Sequence, residues 1–433
     1  MRDMWKSSFG FIMTSVGAAV GLGNILRFPF LLSKYGFLFI VFYTLFLLLL
    51  GLPIMATETA LGRMYRLNCV DCIGKLSKKG QALGFAMVGN SFIIMCYYGV
   101  LFSFLVLMCF FAFRLPSLNS TEAYSFFYDV TGYSYGAVTP FAILFLCFAW
   151  ALVCFCNGSA KRLGAISTLS VVFSVLFLLV LAISGIITAP SQVAKIFEIK
   201  TILLFSPEFW VDTAGQVLFS LSIMVGVMFA YGSFLKKKEN IIKSVLIIAL
   251  VDLAVSILAS IIYMSVIREE LTEFSSITTG FSVYPSAIMA FTNSHFLSGF
   301  LIFLFYLSLS LLSLDSMFSY LKSITVCLLD KFNISEEKAT IGLSVVGILI
   351  GLLFLGKGGL GRISAVDSFV CNCLLLVVGF FEVIIISKKA NLDDIRNEIN
   401  LNSKRLRYPK NLYSLSIKVL CPIAFVVLII LNI

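Results

Sequence analysis

The chain alternates long apolar stretches with short polar turns. Apolar runs lie near residues 9–32, 37–61, 84–113, 138–157, 164–187, 213–235, 241–267, 296–329, 341–356, 365–387 and 412–432. A helix of about 20 apolar residues crosses the hydrocarbon of a bilayer. The runs therefore predict eleven membrane-spanning helices, numbered here spans 1 to 11. No stretch of soluble-domain composition is left over, so residues 1–433 read as one all-α polytopic bundle. Two of the helices do not read as continuous. Span 1 carries Gly17, Gly21 and Gly23, then Asn24, Arg27 and Pro29. Glycine and proline weaken a helix, and in lipid a freed backbone group survives only where it is buried or lines a cavity. A glycine-rich packing face is the alternative, but it explains neither Asn24 nor Arg27. Span 6 repeats the feature between Gly215 and Gly226, with Gln216, Ser220 and Ser222 at its centre. Interrupted helices at corresponding places point to two inverted five-helix repeats with a midplane site between them. The repeats are expected at about 9–187 and 213–387, with an extra helix at about 412–432.

Composition narrows the picture. Hydrophobic residues make up 60% of the chain and charged residues 12%, against about a quarter charged in soluble domains. The net charge of +10 would suit nucleic acid, but the Lys and Arg residues concentrate in alternate turns, at 63–79, 161–162, 236–243, 331–338 and 388–410. That bias predicts a multi-pass cell (inner) membrane protein with a cytoplasmic N-terminus and an outer C-terminus; the lipid bilayer, not nucleic acid, is the partner. Most of the 11 cysteines lie in or beside apolar runs as small apolar residues. Cys69 and Cys72 form a lone CxxC without a second pair, a poor zinc framework. With a single His and no Ser–His–Asp grouping, no enzyme is expected. Asp252 and Asp315 stand inside apolar helices, where an unpaired charge is costly. A bound cation accounts for them; a buried polar contact or a proton relay would also do so.

The segment GAAVGLGNILRFP at 17–29, the pattern Gly51, Leu52, Pro53, Glu58, Gly62 and Arg63, the pair Tyr97 and Tyr98, GQVLFSLS at 215–222 and LSLDS at 312–316 occur in this order. In these the chain resembles the neurotransmitter:sodium symporter family, which has the LeuT fold. The resemblance runs from Trp5 to about Glu382, and eleven spans imply a bacterial member without the usual twelfth helix. It implies sodium-coupled symport of a neutral, hydrophobic amino acid with two sodium ions. A first sodium would meet the Ala19 carbonyl, Asn24, Ser220 and Asp252. A second would meet the Gly17, Val20 and Leu312 carbonyls, Asp315 and Ser316. The substrate carboxylate would face Leu22, Gly23 and Tyr98; its ammonium would face Ala18, Phe219 and Ser316. Its side chain would lie among Ala18, Ile94, Phe219, Ser222, Val225 and Tyr320. Gly21 fits a substrate that brings its own carboxylate, since monoamine carriers of the family have Asp there. Arg27 and Asp367 would pair through water as an outer gate above Tyr98 and Phe219, while Arg2, Trp5 and Asp330 would latch the inner side. The stretch from Glu269 to His295 would cap the vestibule.

The chain also departs from the family's pattern. Asp252 stands where many members have Asn, whereas Tyr43, Gln216, Ser220 and Ser256 match the chloride-site pattern; a fixed carboxylate or chloride, or both, remain open. Phe234 replaces a Tyr that supports the inner gate, Met224 fills a place usually taken by glycine, and span 5 lacks an expected Pro. A proton-driven or exchanging carrier of the same fold is the alternative, and a non-transporting sensor or channel the alternative of another class. Oligomeric state is not readable from the sequence.

Overall fold

A backbone amide in hydrocarbon has no water to bond, so each apolar run closes its own hydrogen bonds as a helix. The computed structural model describes residues 4, 5, 7–117, 120–131, 139–156, 160–266, 276–403 and 405–432. Among them the chain is helical, with no strand. Nine helices are long and apolar enough to cross a bilayer: Phe37–Tyr65, Lys78–Phe111, Thr139–Cys156, Arg162–Thr188, Ile241–Met264, His295–Phe332, Glu336–Phe354, Gly359–Lys389 and Lys410–Leu431. They are spans 2 to 5 and 7 to 11. Span 1 is a bent pair, Ser8–Ala19 and Gly23–Tyr35, at 53° to each other. Span 6 falls into Pro207–Ser220 and Val227–Ser233, each shorter than a bilayer crossing. Of the eleven expected spans, nine unbroken helices and one bent pair among the described residues are therefore long and apolar enough to cross, and span 6, in two short halves, does not qualify by length.

Span 3 runs through the middle of the bundle and packs along span 8. Spans 4, 9 and 11 lie outside and present Phe155, Leu353 and Ile430 outward. The inner half of span 6 crosses span 2 at a contact only glycine allows. A Cβ on Gly62 would stand 2.2 Å from the Phe229 carbonyl oxygen, and one on Gly232 would stand 2.3 Å from that of Thr59. Close backbone approach of this kind is how membrane helices gain packing without a hydrophobic drive.

The break in span 6 bends through positive φ at Ser222 (50°), Met224 (62°) and Gly226 (74°). Its freed backbone groups are met from other spans. The Met224 amide donates to Glu58 Oε1 at 2.7 Å, and the Val225 carbonyl accepts from Ser91 Oγ at 2.5 Å and Ser323 Oγ at 3.0 Å. A buried donor without a partner costs about 1–3 kcal/mol. Glu58→Ala is therefore expected to speed amide exchange at Met224 by about tenfold or more, whereas Glu58→Gln, which keeps an acceptor, stays near the native rate. Exchange followed by mass spectrometry on the 221–226 segment checks this.

Candidate functional site

The two breaks face each other at the centre of the bundle. Ser222 Oγ donates to the Ala18 carbonyl at 2.7 Å, and Gln216 Nε2 donates to that of Gly23 at 3.0 Å. The Gly21 amide donates to Asn24 Oδ1 at 3.0 Å. The turn Gly23–Arg27 is π-helical, a local widening common at functional sites. Within the expected cap, Ser276–Phe291 forms a helix packed on this turn, and Tyr284 donates to the Ile25 carbonyl at 2.5 Å. Residues 269–275 of that cap lie outside the described residues.

Asp252 on span 7 gathers the residues expected at the first cation. Its Oδ1 accepts from Asn24 Nδ2 at 2.7 Å and Ser220 Oγ at 2.6 Å, and its Oδ2 accepts from the Tyr43 hydroxyl at 2.8 Å. Asn24 Nδ2 also reaches Ser256 Oγ at 2.9 Å. Tyr43 and Ser220 of the chloride pattern and Asn24 and Ser220 of the expected sodium set thus share one buried carboxylate, whereas Gln216 and Ser256 bond elsewhere. Gln216 Oε1 is buried and has no partner among the described residues.

Asp315 on span 8 faces span 1. A Cβ on Gly17 would stand 1.9 Å from Asp315 Oδ2, so only glycine lets the carboxylate lie against the helix. Its oxygens accept from Ser167 Oγ at 2.5 Å and Ser170 Oγ at 3.1 Å. Sequence reasoning passed over both serines. Their signal was a buried Ser167, Ser170, Ser174 stripe at i, i+3, i+7 on an otherwise apolar span, the spacing of one helix face. Ser316 turns toward Gly21, its Oγ 3.0 Å from where a Cβ would sit.

Ala18, Ala19, Gly21, Gly23, Asn24, Tyr98, Phe219, Ser220, Ser316 and Tyr320 line a central cavity of about 10 Å³, room for about one water. A second cavity of about 20 Å³ lies among Leu22, Gly23, Leu26, Arg27, Tyr97, Tyr98, Leu101, Phe219 and Asp367. Tyr98 and Phe219, with ring centroids 6.5 Å apart, belong to both walls. Ile94, Ser222 and Val225 are buried but do not line the central cavity; Ser222 spends its hydroxyl on Ala18.

Arg27 and Asp367 meet in the upper cavity, each held by other groups. Arg27 Nη2 donates to Asn372 Oδ1 at 2.8 Å and lies 3.6 Å from Asp212 Oδ1. Asp367 Oδ1 accepts from the Tyr97 hydroxyl at 2.9 Å. Asp212 was not foreseen; it also accepts from Tyr35 and Asn372. On the inner side, Trp5 donates from Nε1 to the Tyr231 carbonyl and from its amide to that of Phe234, both at 3.1 Å. Asp330 accepts from Asn68 Nδ2 at 2.9 Å. Arg2 lies outside the described residues. Arg63 is fully buried and ties span 2 to the turn after span 6 and to the short helix Leu392–Ile399 that follows span 10, donating to the Glu239 carbonyl and to Glu398 Oε1, both at 2.6 Å. Chemically, the centre offers two buried carboxylates, backbone oxygens at two helix breaks and a small apolar and aromatic chamber.

Comparison with known proteins shows the family and the fold. The model of the Sodium:neurotransmitter symporter family matches residues 2–126 and 131–433. An uncharacterized sodium-dependent transporter of Methanocaldococcus jannaschii is 27% identical over 423 residues, covering 92% of this chain and 84% of that protein. The human sodium- and chloride-dependent GABA transporter 2 is 26% identical over 436 residues, covering 88% and 72%. The crystal structure of MhsT in complex with L-phenylalanine superposes with a TM-score of 0.89 at 23% identity over 100% of both chains, which shows the LeuT fold.

Proposed function

Because the chain belongs to the sodium:neurotransmitter symporter family, we propose that it carries a neutral, hydrophobic amino acid inward with two sodium ions by alternating access. It is an integral membrane, sodium-dependent transporter of that family; the cargo, the stoichiometry and the direction are proposed. The observation that carries it is the missing side chain at Gly21, where even a Cβ would stand 3.0 Å from Ser316 Oγ and 3.7 Å from the Tyr98 hydroxyl. A side chain there would fill the chamber beside Ser316 and Tyr98, so the substrate's own carboxylate takes that position. The rings of Tyr98, Phe219 and Tyr320 leave an apolar surround. Opening of the closed chamber then needs Phe219 and Tyr98 to part.

In this reading Asn24, Ser220, Asp252 and the Ala19 carbonyl hold one sodium, and Asp315, Ser316 and the carbonyls of Gly17, Val20 and Leu312 hold the other. Each ion moving through 100 mV supplies about 2.3 kcal/mol. The two repeats at about 9–187 and 213–387 rock around the site, with the basic turns on the cytoplasmic rim of the cell membrane. Asp252 provides the negative charge beside the first sodium that chloride would otherwise bring, and its donors Tyr43 and Ser220 are already engaged. Uptake is therefore expected to persist, within about twofold, when chloride is replaced by gluconate; a loss of tenfold or more would put chloride back in the site.

The test of the function is binding of the twenty amino acids to purified protein in sodium and in potassium. Sodium-dependent binding of one or a few neutral amino acids is the expected result. Equal binding in both salts would overturn sodium coupling and favour a proton-driven or exchanging carrier.

A further inference from the structure

Lys322 is the buried cation that the proposed transport cycle leaves without a task. It stands on span 8, two turns below Asp315, and is only 7% exposed. A charge inside a membrane bundle persists when it is paired, and here two partners reach it from different spans. The ammonium forms an ion pair with Glu336, the first residue of span 9. It also lies 5.6 Å from the centroid of the Phe234 ring, within the range of a cation–π contact. Phe234 ends the inner half of span 6. Its carbonyl accepts the Trp5 amide at 3.1 Å, and its ring meets that of Trp5 edge-on, with centroids 6.3 Å apart.

Span 8 thus grips the inner half of span 6 at two heights. Above, the Tyr231 hydroxyl bonds Ser319 Oγ at 2.7 Å, and Ser319 donates to the Asp315 carbonyl at 3.0 Å. Below, Lys322 sits on Phe234. Asp315, Ser319 and Lys322 fall at i, i+4 and i+7, one face of the helix. At the lower height the contact with span 8 is made by an ammonium over a ring rather than by a hydroxyl.

We propose that Lys322, held by Glu336 and resting on Phe234, is the clasp that keeps the inner side shut, joining span 8 and the start of span 9 to the Trp5 latch. The inference rests on the alternating-access reading: to open inward, Trp5 and the inner half of span 6 must leave span 8, and Lys322 must release the Phe234 ring. Glu336, whose side chain is 35% exposed, is the water-accessible end of the device.

Amide exchange of the full-length protein in sodium, without substrate, tests the clasp directly, because the Trp5 amide bonds the Phe234 carbonyl only while the latch is shut. Lys322→Met, which keeps the bulk and removes the charge, is expected to speed exchange of the segments at 4–20 and 227–235 at least tenfold. Phe234→Leu should do the same, and Glu336→Gln should give a smaller increase. Lys322→Arg keeps a cation that stacks on a ring and should restore the native rate. The outer segment at 28–35 and the span 3 core should not change. Unchanged exchange in Lys322→Met would overturn the clasp. So would an increase spread evenly over spans 3, 8 and 10, since that is loss of packing rather than release of a latch. The measurement needs no cargo. If the inner segments respond as expected while no amino acid binds in sodium, the clasp stands and the proposed cargo falls.

Discussion

Replacing Gly17 with alanine is expected to lower sodium affinity by about 100-fold, which corresponds to about 2.7 kcal/mol. The added methyl would stand 1.9 Å from Asp315 Oδ2 and 2.7 Å from its carboxyl carbon, so helix and carboxylate cannot both keep their places. Asp315 cannot retreat freely, because Ser167 and Ser170 hold it from span 5. Its displacement separates the carboxylate from the Gly17 and Val20 carbonyls that would share the ion. Overpacking a tight site costs about 1–3 kcal/mol by itself, so the variant should still fold, and thermal unfolding in detergent will show whether it does. Sodium titration of amino-acid binding reads the effect. An unchanged sodium midpoint in a folded Gly17→Ala protein would remove the second cation site from this face of span 1.

The second large effect is expected at Gly21. Gly21→Asp should weaken binding of a neutral amino acid by about 100-fold or more, again about 2.7 kcal/mol. The new side chain would enter the chamber next to Ser316 Oγ and the Tyr98 hydroxyl. There it would occupy the substrate carboxylate's position and place a like charge against it. Gly21→Ala adds only a methyl, 3.0 Å from a hydroxyl that can rotate, and should cost about 1 kcal/mol or a little more. Competition binding with the preferred amino acid separates the two. Equal loss in both variants would mean that shape, not charge, decides at this position, and the carboxylate would then have to be read elsewhere.

Arg27, which the resemblance places in an outer gate, has a more specific set of partners than that expectation gave it. Its direct neighbours are Asn372 and Asp212, on spans 10 and 6, while Asp367 is engaged by Tyr97. The arginine therefore ties span 1 and the first half of span 6 to span 10. The π-helical turn Val370–Leu374 carries Asn372.

Much of this protein was legible in the order of its residues. The length of the apolar runs determined the spans, because hydrocarbon thickness sets a minimum length and the cost of an unbonded amide forces a helix. Glycines, Asn24 and Pro29 marked the break in span 1, and the polar centre between Gly215 and Gly226 marked that in span 6, because those residues weaken a helix wherever they stand. Asp252 and Asp315 announced themselves as charges where charge is expensive. What the sequence could not supply was the choice of partner. Met224 meets Glu58 across 166 positions and Ser167 meets Asp315 across 148; Asn24 and Asp252, 228 apart, were placed together beforehand only by the family resemblance. Such pairs are chosen when helices far apart in the chain pack side by side, and hydrophobic pattern carries no record of which helix faces which. For the same reason Asp212, Ser170 and Lys322 read as ordinary residues until packing brought Arg27, Asp315 and Phe234 against them. The elements were local and therefore readable; the meeting of their polar groups was decided by tertiary packing, where a buried charge must find its counterpart or move.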